Sequence, residues 1–211
     1  MDFVRARTKE QISNRQEEII QACDALFEQG GYEEVNFKAI SEMTSFTRPS
    51  IYNYYKTKDE ILLDLLTREL LEWQDSLLGT LQTIQEMSKE EYCNFLTQTL
   101  VANDKMLKLF SHLFTTFEKN SGIDKLVHFK KEMMKVMKTV LTSVEQYFPN
   151  ATVEHRTIFV SALFSYVLGL YPMSHLTPKQ MEAISLSEIE YVAPDFEYMC
   201  NQGIRLLLSD L

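Results

Sequence analysis

An all-α fold is predicted by three features of the 211-residue sequence. Apolar residues recur at helical spacing along almost the whole chain. The chain holds only 6 Gly and 5 Pro, which is too few turn formers for an all-β sandwich or barrel. Its 45% hydrophobic and 24% charged residues are typical of globular proteins and exclude a largely disordered chain.

Capping residues set the limits of the first two predicted helices. The first begins between Thr8 and Ser13, each of which is followed three residues later by Gln in a capping-box pattern. It ends at Gly30-Gly31, because glycine commonly terminates helices. A short second helix follows Asn36, which is a favourable N-cap.

The segment from Phe37 to Tyr55 is predicted to form two short helices joined by a tight turn. The turn is Thr44-Ser45-Phe46, and Thr47 caps the second helix, which carries Pro49 in its first turn. This is helix-turn-helix geometry, in which the second helix enters the major groove of DNA. Two short solvated helices in a bundle would show the same pattern.

One face of this second helix is predicted to pack inward and the other to contact DNA. Ile51 and Tyr55 lie four residues apart and mark the buried face. Asn and Arg on the opposite face can make bidentate contacts to adenine and guanine, and backbone amides at the start of the next helix can bind phosphate. The base-reading candidates are Arg48, Ser50, Asn53 and Tyr54, and the phosphate-binding candidates are Thr47, Tyr52 and Lys58.

The remainder of the chain is also predicted to be helical. Thr57 with Glu60, and Ser88 with Glu91, form capping boxes that each begin a helix. The first of these helices has an unbroken apolar stripe: Leu62, Leu66, Leu70, Trp73, Leu77, Leu81 and Ile84. Further helices are predicted from about Asp104 to Glu118, Ile123 to Phe148, Thr152 to Leu170 and Pro194 to Leu208.

Charge divides the chain near residue 58. Residues 1–58 hold 8 Lys and Arg against 9 Asp and Glu, whereas residues 59–211 hold 13 against 21. The basic residues of the first part cluster at an edge that includes an N-terminal arm: Arg5, Arg7, Lys9, Arg15, Arg48, Lys56 and Lys58. The sequence therefore predicts a small module over 1–58 and a larger acidic helical body over 59–211.

Composition argues against a secreted, metal-binding or membrane-spanning protein. Cys23, Cys93 and Cys200 are far apart and odd in number, which favours a reducing compartment over disulfides or a zinc site. The N-terminus has no apolar leader. The most apolar run, Ile158 to Met173, is shorter than the roughly 20 residues of a membrane span. We therefore expect a buried helix there and a soluble, cytoplasmic protein.

A string of residues near the N-terminus carries a family resemblance. Its members are Ile19, Ala22, Leu26, Phe27, Gly30, Gly31, Tyr32, Phe37, Ile40 and Ser41, followed by Thr47 to Tyr55 and Lys58 to Leu62. With these residues the chain resembles the N-terminal domain of the TetR/AcrR family of bacterial transcriptional regulators. The resemblance implies DNA contacts for Thr47, Arg48, Pro49, Ser50, Tyr52, Asn53, Tyr54 and Lys58.

Two positions depart from that family's pattern. Ser45-Phe46 stands where the family usually has Gly and a small aliphatic residue, so a left-handed Ser45 would cost about 1 kcal/mol relative to Gly. Pro49 stands where Gly is common, and it has no N–H to offer a phosphate or base. Its ring can contact a thymine methyl instead.

The resemblance also implies a variable helical domain that binds an effector and dimerises through its last two long helices, here within residues 59–211. The predicted dimer interface is Ser161, Ser165, Gly169, Phe196, Cys200, Gly203 and Leu207. The candidate ligand-binding residues are Tyr92, Phe95, Phe110, Phe114, Phe117, Met137 and Tyr166. Aromatic and Met residues at helical spacing more often belong to a plain core than to a ligand site.

The sequence as a whole predicts a homodimeric, ligand-responsive transcriptional regulator. We expect a repressor that a small apolar molecule releases from a palindromic operator in double-stranded DNA. Two alternatives stay open: a helical enzyme or small-molecule-binding protein with an incidental helix pair, and a regulator controlled by a protein partner. The four histidines are scattered and no catalytic motif is present, so no enzyme, cofactor or metal site is predicted.

Overall fold

The computed structural model describes residues 9–211, without the side chains of residues 9–12. The described residues form helices and no strand, which confirms the all-α fold. The helices are α1 (Lys9–Gly30), α2 (Phe37–Met43), α3 (Arg48–Ile51), α4 (Lys58–Thr83), α5 (Lys89–Val101), α6 (Asp104–Phe110), α7 (Glu118–Asn120), α8 (Ile123–Tyr147), α9 (Val153–Ser174), α10 (Pro178–Leu186) and α11 (Phe196–Leu207). The candidate cap Thr8 and the arm residues Arg5 and Arg7 lie outside the described residues.

Two compact units divide the chain. Unit 1 comprises Met1–Arg68 and Leu113–Lys131, and unit 2 comprises Glu69–His112 and Glu132–Leu211. The unit that contains the helix pair is thus larger than the predicted module, because it includes the start of α4 and a segment from the middle of the chain. The division near residue 58 stays a prediction about where the DNA-binding function ends.

Three predicted caps form capping bonds, those of Asn36, Thr57 and Ser88, whereas Thr47 forms none and Ser13 lies inside α1. Asn36 Oδ1 accepts a hydrogen bond from the Ala39 amide at 2.9 Å. Ser88 and Glu91 form a complete capping box, in which each side chain accepts from the other residue's backbone amide. These local bonds satisfy amides that have no partner within the helix, so the helices begin where the sequence indicated.

Two predicted helices are shorter than their apolar periodicity indicated. After Ile51, the amides of Asn53 and Tyr54 donate to carbonyls three residues back, so the chain continues in tight turns rather than as α-helix. The helix expected from Asp104 to Glu118 ends at Phe110, and a π-helical segment, Leu113–Phe117, follows. A π turn holds more residues than an α turn and therefore changes the face that each later side chain occupies.

Helix α9 is longer than predicted, and α10 was not predicted. With 22 residues, α9 is long and apolar enough to cross a membrane, and it is the one such helix among the described residues. This corrects the expectation that the apolar run falls short of a span. Phe159, Leu163 and Val167 of α9 are nevertheless buried in unit 2, where the helix packs against α6 and α11. Helix α10 has no buried residue, and the sequence signal for it was the capping box of Thr177 and Gln180.

Candidate nucleic-acid interface

The helix pair in unit 1 has the buried face that its sequence predicted. Ile51 and Tyr55 are 0% and 1% exposed. Phe46, in the turn, is also buried, and its ring meets the ring of Tyr54 edge-on at 5.6 Å. The Arg15 guanidinium also contacts Phe46 and lies 5.2 Å from the centroid of its ring. The large aromatic side chain therefore anchors the turn instead of disturbing it.

The turn between α2 and α3 is built around Glu18 of α1. The Ser45 amide donates to Glu18 Oε1 at 2.6 Å, and the Ser45 hydroxyl donates to Glu18 Oε2 at 3.1 Å. Thr44 Oγ1 accepts from the Phe46 amide at 3.4 Å. Among the described residues, Glu188 is the single non-glycine with positive φ, so Ser45 is not left-handed and the expected cost of about 1 kcal/mol does not arise.

Two of the predicted base-reading side chains are exposed, Arg48 on α3 and Asn53 in the turn that follows it. Arg48 and Asn53 are exposed and point away from the buried Ile51. Thr47 and Pro49 are exposed as well. Arginine and asparagine on one accessible face can bind guanine and adenine edges in the major groove.

Four of the candidate residues on this helix pair contact other residues of the chain. The hydroxyls of Thr47 and Ser50 lie 2.7 Å apart and share a hydrogen bond, which leaves the Thr47 side chain without a bond to a backbone amide. Tyr52 is 51% exposed, and its ring packs edge-on against Phe37 at 4.6 Å. Tyr54 is half-buried against the turn, so it is less accessible to DNA than the sequence indicated.

Lys58 is held by Tyr32. Its ammonium group donates to the Tyr32 carbonyl at 2.8 Å and lies 3.7 Å from the centroid of the Tyr32 ring. Two backbone amides expected to bind phosphate are already used, since the Glu60 amide donates to Thr57 Oγ1 and the Lys56 amide donates to Glu60 Oε2.

The acidic residues beside Lys58 are buried and hydrogen-bonded, which the sequence did not reveal. Asp59 accepts from the Tyr32 hydroxyl at 2.9 Å and from Asn120 Nδ2 at 3.0 Å, and burial together with Asp59 raises the pKa of Tyr32. Glu60 accepts from the Gly122 amide at 3.0 Å. These bonds satisfy two buried carboxylates and connect the segment of Asn120 and Gly122 to the start of α4 within unit 1.

The predicted dimer residues of α9 and α11 occupy different positions in unit 2. Ser161, Ser165 and Gly169 are exposed, and a Cβ added at Gly169 would meet no atom within 4 Å. Cys200 and Gly203 are buried inside the chain.

A side chain at Gly203 would overlap the Tyr166 ring, so α11 approaches α9 of the same chain closely at this glycine. Burial within one chain removes Cys200 and Gly203 from any outer face, which corrects their assignment to a dimer interface. Phe196 and Leu207 are half-buried.

The predicted ligand-binding residues are divided between the two units. Phe114 and Phe117 belong to unit 1, where Phe114 is 61% exposed and Phe117 is buried. The other five lie in unit 2: Tyr92, Phe95, Phe110, Met137 and Tyr166. Tyr92 is fully buried, and its hydroxyl shares a 2.5 Å hydrogen bond with Ser143. Phe110 and Met137 line two different cavities, and the other five residues line neither of these.

Each of these two cavities is lined by one of the predicted ligand-binding residues. One, of about 10 Å³, lies against Trp73, Phe110 and Phe164 and has room for about one water molecule. The other is an open groove of about 460 Å³ between α8 and α9, which we call the α8–α9 groove. Its lining residues are the apolar Met134, Met137, Leu141 and Val160 together with Lys135, Lys138, Thr157 and Ser161.

Both parts of the chain match known protein families. Residues 19–65 match the family described as bacterial regulatory proteins, tetR family, and residues 67–209 match the family described as tetracyclin repressor-like, C-terminal domain. No curated protein matches the sequence.

Solved structures share the fold at low sequence identity. A TetR/AcrR-family transcriptional regulator from Thermobifida fusca has a TM-score of 0.58 and 19% identity, with 93% of this chain and 97% of that chain covered. The fatty acid degradation regulator FadR from Bacillus halodurans has a TM-score of 0.52 and 14% sequence identity, with 98% of each chain covered. FadR from Bacillus subtilis, in complex with stearoyl-CoA, has a TM-score of 0.50 and 15% sequence identity, with 92% of this chain and 98% of that chain covered.

Proposed function

Because the chain belongs to the TetR family of ligand-responsive, DNA-binding transcriptional regulators, we propose that its α3 face reads a palindromic operator as part of a homodimer. Membership of this family confirms that the protein is a DNA-binding regulator and not an enzyme. We further propose that it represses transcription in the cytoplasm and that a small molecule releases it from DNA. The observation that carries the operator proposal is the exposure of Arg48 and Asn53 opposite the buried Ile51.

Base reading is assigned to the two side chains with matching hydrogen-bonding groups. The Arg48 guanidinium can donate two bonds to guanine O6 and N7, and the Asn53 amide can bond adenine N6 and N7. Thr47 and Tyr52, which are exposed beside them, supply hydroxyls for the DNA backbone. Pro49 is exposed and has no amide hydrogen, so its role is apolar contact with a thymine methyl.

Lys58 is assigned a phosphate contact that is pre-positioned. Its bond to the Tyr32 carbonyl uses one of the three ammonium hydrogens. The remaining two are available to a phosphate oxygen, and the Tyr32 ring restricts the side chain before DNA arrives. A restrained donor loses less conformational entropy on binding than a free lysine.

The test of the DNA-binding face is a salt-dependent titration of an operator selected from random DNA with the wild-type protein. Asn53→Ala and Arg48→Ala should each cost about 1–3 kcal/mol and relax preference at one base position. Lys58→Ala should weaken all sequences alike and reduce the salt slope by about one unit. Lys119→Ala, an exposed lysine on α7 in the same unit, is the matched control. Wild-type affinity in both Asn53→Ala and Arg48→Ala would place base reading elsewhere.

A homodimer is proposed through the exposed side of α9 and the adjoining α8–α9 groove. The stripe of Ser161, Ser165 and Gly169 leaves room for a second helix to approach closely. Ile158, at 56% exposure, and Met134, at 61%, present apolar surface beside it. Exposed apolar surface next to small residues is typical of helix–helix interfaces that bury it in an assembly.

The dimer test uses Gly169→Arg. The large side chain has free space in the single chain, so the variant should stay folded and sediment as a monomer that binds the palindrome poorly. Gly79→Arg is the matched control, because Gly79 is an exposed helical glycine whose Cβ would also meet nothing within 4 Å. A dimeric Gly169→Arg protein, or a monomeric wild type at micromolar concentration, would overturn the assignment.

Effector release is proposed to follow from thermodynamic linkage. A ligand that weakens operator binding by some factor must bind the DNA-free protein more tightly by the same factor. The expected effector has a mainly apolar body, since unit 2 offers more apolar than charged surface in its interior. A compound that raises the melting temperature but leaves operator affinity unchanged occupies the protein without acting as its inducer.

A further inference from the structure

Unit 2 has a cleft that none of the predicted ligand-binding residues lines. Its volume is about 290 Å³, close to the lower end of small-molecule sites. The walls come from the start of α6, the C-terminal end of α9 and the start of α11. We call it the α6–α11 cleft.

The lining is acidic. Asp104, Asp195 and Glu197 contribute carboxylates, and none of the cleft's nine lining residues is Lys or Arg. Asp195 is the N-cap of α11 and accepts from the Tyr198 amide, and Glu197 accepts from Gln98 at 2.7 Å. In the described part of the chain no lysine or arginine forms an ion pair with any of the three carboxylates, and His175 Nε2 lies 3.8 Å from Asp104 Oδ1.

Aromatic rings stand beside these carboxylates. His175 stacks on Tyr171 with the ring centroids 4.1 Å apart, and Phe196 meets Tyr171 edge-on at 5.7 Å. The Tyr171 hydroxyl donates to Asp104 Oδ1 at 2.8 Å, which fixes that carboxylate at the wall. A ring face next to carboxylates attracts organic cations, because both the π-electrons and the carboxylates favour positive charge.

A further polar group in the cleft lacks a partner. The Ser174 hydroxyl is shut off from solvent, and it has no hydrogen bond in the described structure. Buried polar groups are nearly always hydrogen-bonded, so an unpaired hydroxyl at a cleft indicates a position for a ligand's polar group. A protonated amine can donate a hydrogen bond to it.

We propose that the α6–α11 cleft binds a protonated organic amine with an apolar body, its ammonium group among Asp104, Asp195 and Glu197 and its body against Phe196. Its volume admits a compact molecule of one ring with a short amine side chain. The site names the chemical class of the effector, and in that respect it rests on the proposed function. Binding itself does not depend on DNA and is tested separately.

The direct test is calorimetric titration of the full-length protein with 2-phenylethylamine and two isosteres, neutral 2-phenylethanol and anionic 3-phenylpropionate. The amine should bind at least about tenfold more tightly than either isostere. The triple variant Asp104→Asn, Asp195→Asn, Glu197→Gln should lose that preference. Its side chains keep the acceptors for Tyr171, the Tyr198 amide and Gln98, and Asn caps helices as well as Asp.

The control removes three negative charges from exposed positions of unit 2 outside the cleft: Asp75→Asn, Glu86→Gln and Glu90→Gln. This variant should retain the amine preference, which separates a local site from the general attraction of an acidic protein. Equal binding of all three probes, or equal loss in both triple variants, would overturn the proposal. Amine binding that leaves operator affinity unchanged keeps the site and overturns its role as the effector site, whereas loss of operator binding in Arg48→Ala tests the DNA-binding function independently.

Discussion

Glu18 is expected to set the geometry of the helix pair, although it lies in α1 and outside the helix-turn-helix segment. Its two carboxylate oxygens accept the amide and the hydroxyl of Ser45. Glu18→Ala removes both bonds and leaves the turn without its support. Glu18→Gln keeps one carbonyl oxygen for the Ser45 amide but loses the charge, so it should have an intermediate effect.

The magnitude follows from the number and exposure of these bonds. A hydrogen bond to a charged group contributes about 1.5–3 kcal/mol when it is buried. Ser45 is exposed and Glu18 is half-buried, so water replaces much of what is lost, and about 1–2 kcal/mol is expected for the pair. That corresponds to a decrease of about 2–8 °C in Tm for a chain of this size. Operator affinity should fall by up to about tenfold, since 1.4 kcal/mol is a factor of ten.

The assay is thermal unfolding combined with operator titration, and Glu42→Ala is the control. Glu42 lies on α2, and within the described part of the chain it forms only a surface pair with Lys38 at 3.8 Å, so its loss should cost little stability. Both variants remove one negative charge from the DNA-binding unit, which by itself would strengthen DNA binding equally. If the two variants match in Tm within about 1 °C and in operator affinity, Glu18 does not hold the turn.

Two further predictions concern unit 2. Gly203→Ala should destabilise the protein by about 1–3 kcal/mol in denaturant unfolding, because its methyl group would displace the Tyr166 ring. Gly79→Ala should instead stabilise the protein by about 0.5–1 kcal/mol through helix propensity. Equal effects of the two substitutions would contradict the close approach at Gly203. Burial raises the pKa of Tyr92 far above its usual value of 10. The folded state therefore keeps the full stabilisation that the neutral phenol gives it below about pH 10, and it loses this stabilisation as the pH rises further. Tyr92→Phe should reduce this alkaline loss, and an unchanged pH profile would assign the loss to other groups; Ser143 keeps its bond to the Val140 carbonyl in the variant.

The sequence by itself determined the local elements and the polarity of α3. The caps Asn36 and Ser88 are predictable because a capping bond spans only three residues of chain. Ile51 and Tyr55 could be placed on the buried face because helical periodicity alone fixes which side chains share a side. The exposure of Arg48 follows from the same geometry.

Only the tertiary structure decided what each buried face packs against. The pattern of α11 marked Cys200 and Gly203 as a packing surface, but periodicity does not distinguish a neighbour in the same chain from a second copy. Packing likewise decides which aromatic residues of the middle helices belong to the core and which line a cavity. The sequence does not separate the two, because both environments favour the same side chains. Glu18 was missed for a related reason: it lies 27 residues from Ser45 in sequence, and only the folding of α1 against the helix pair makes its carboxylate a neighbour of the turn.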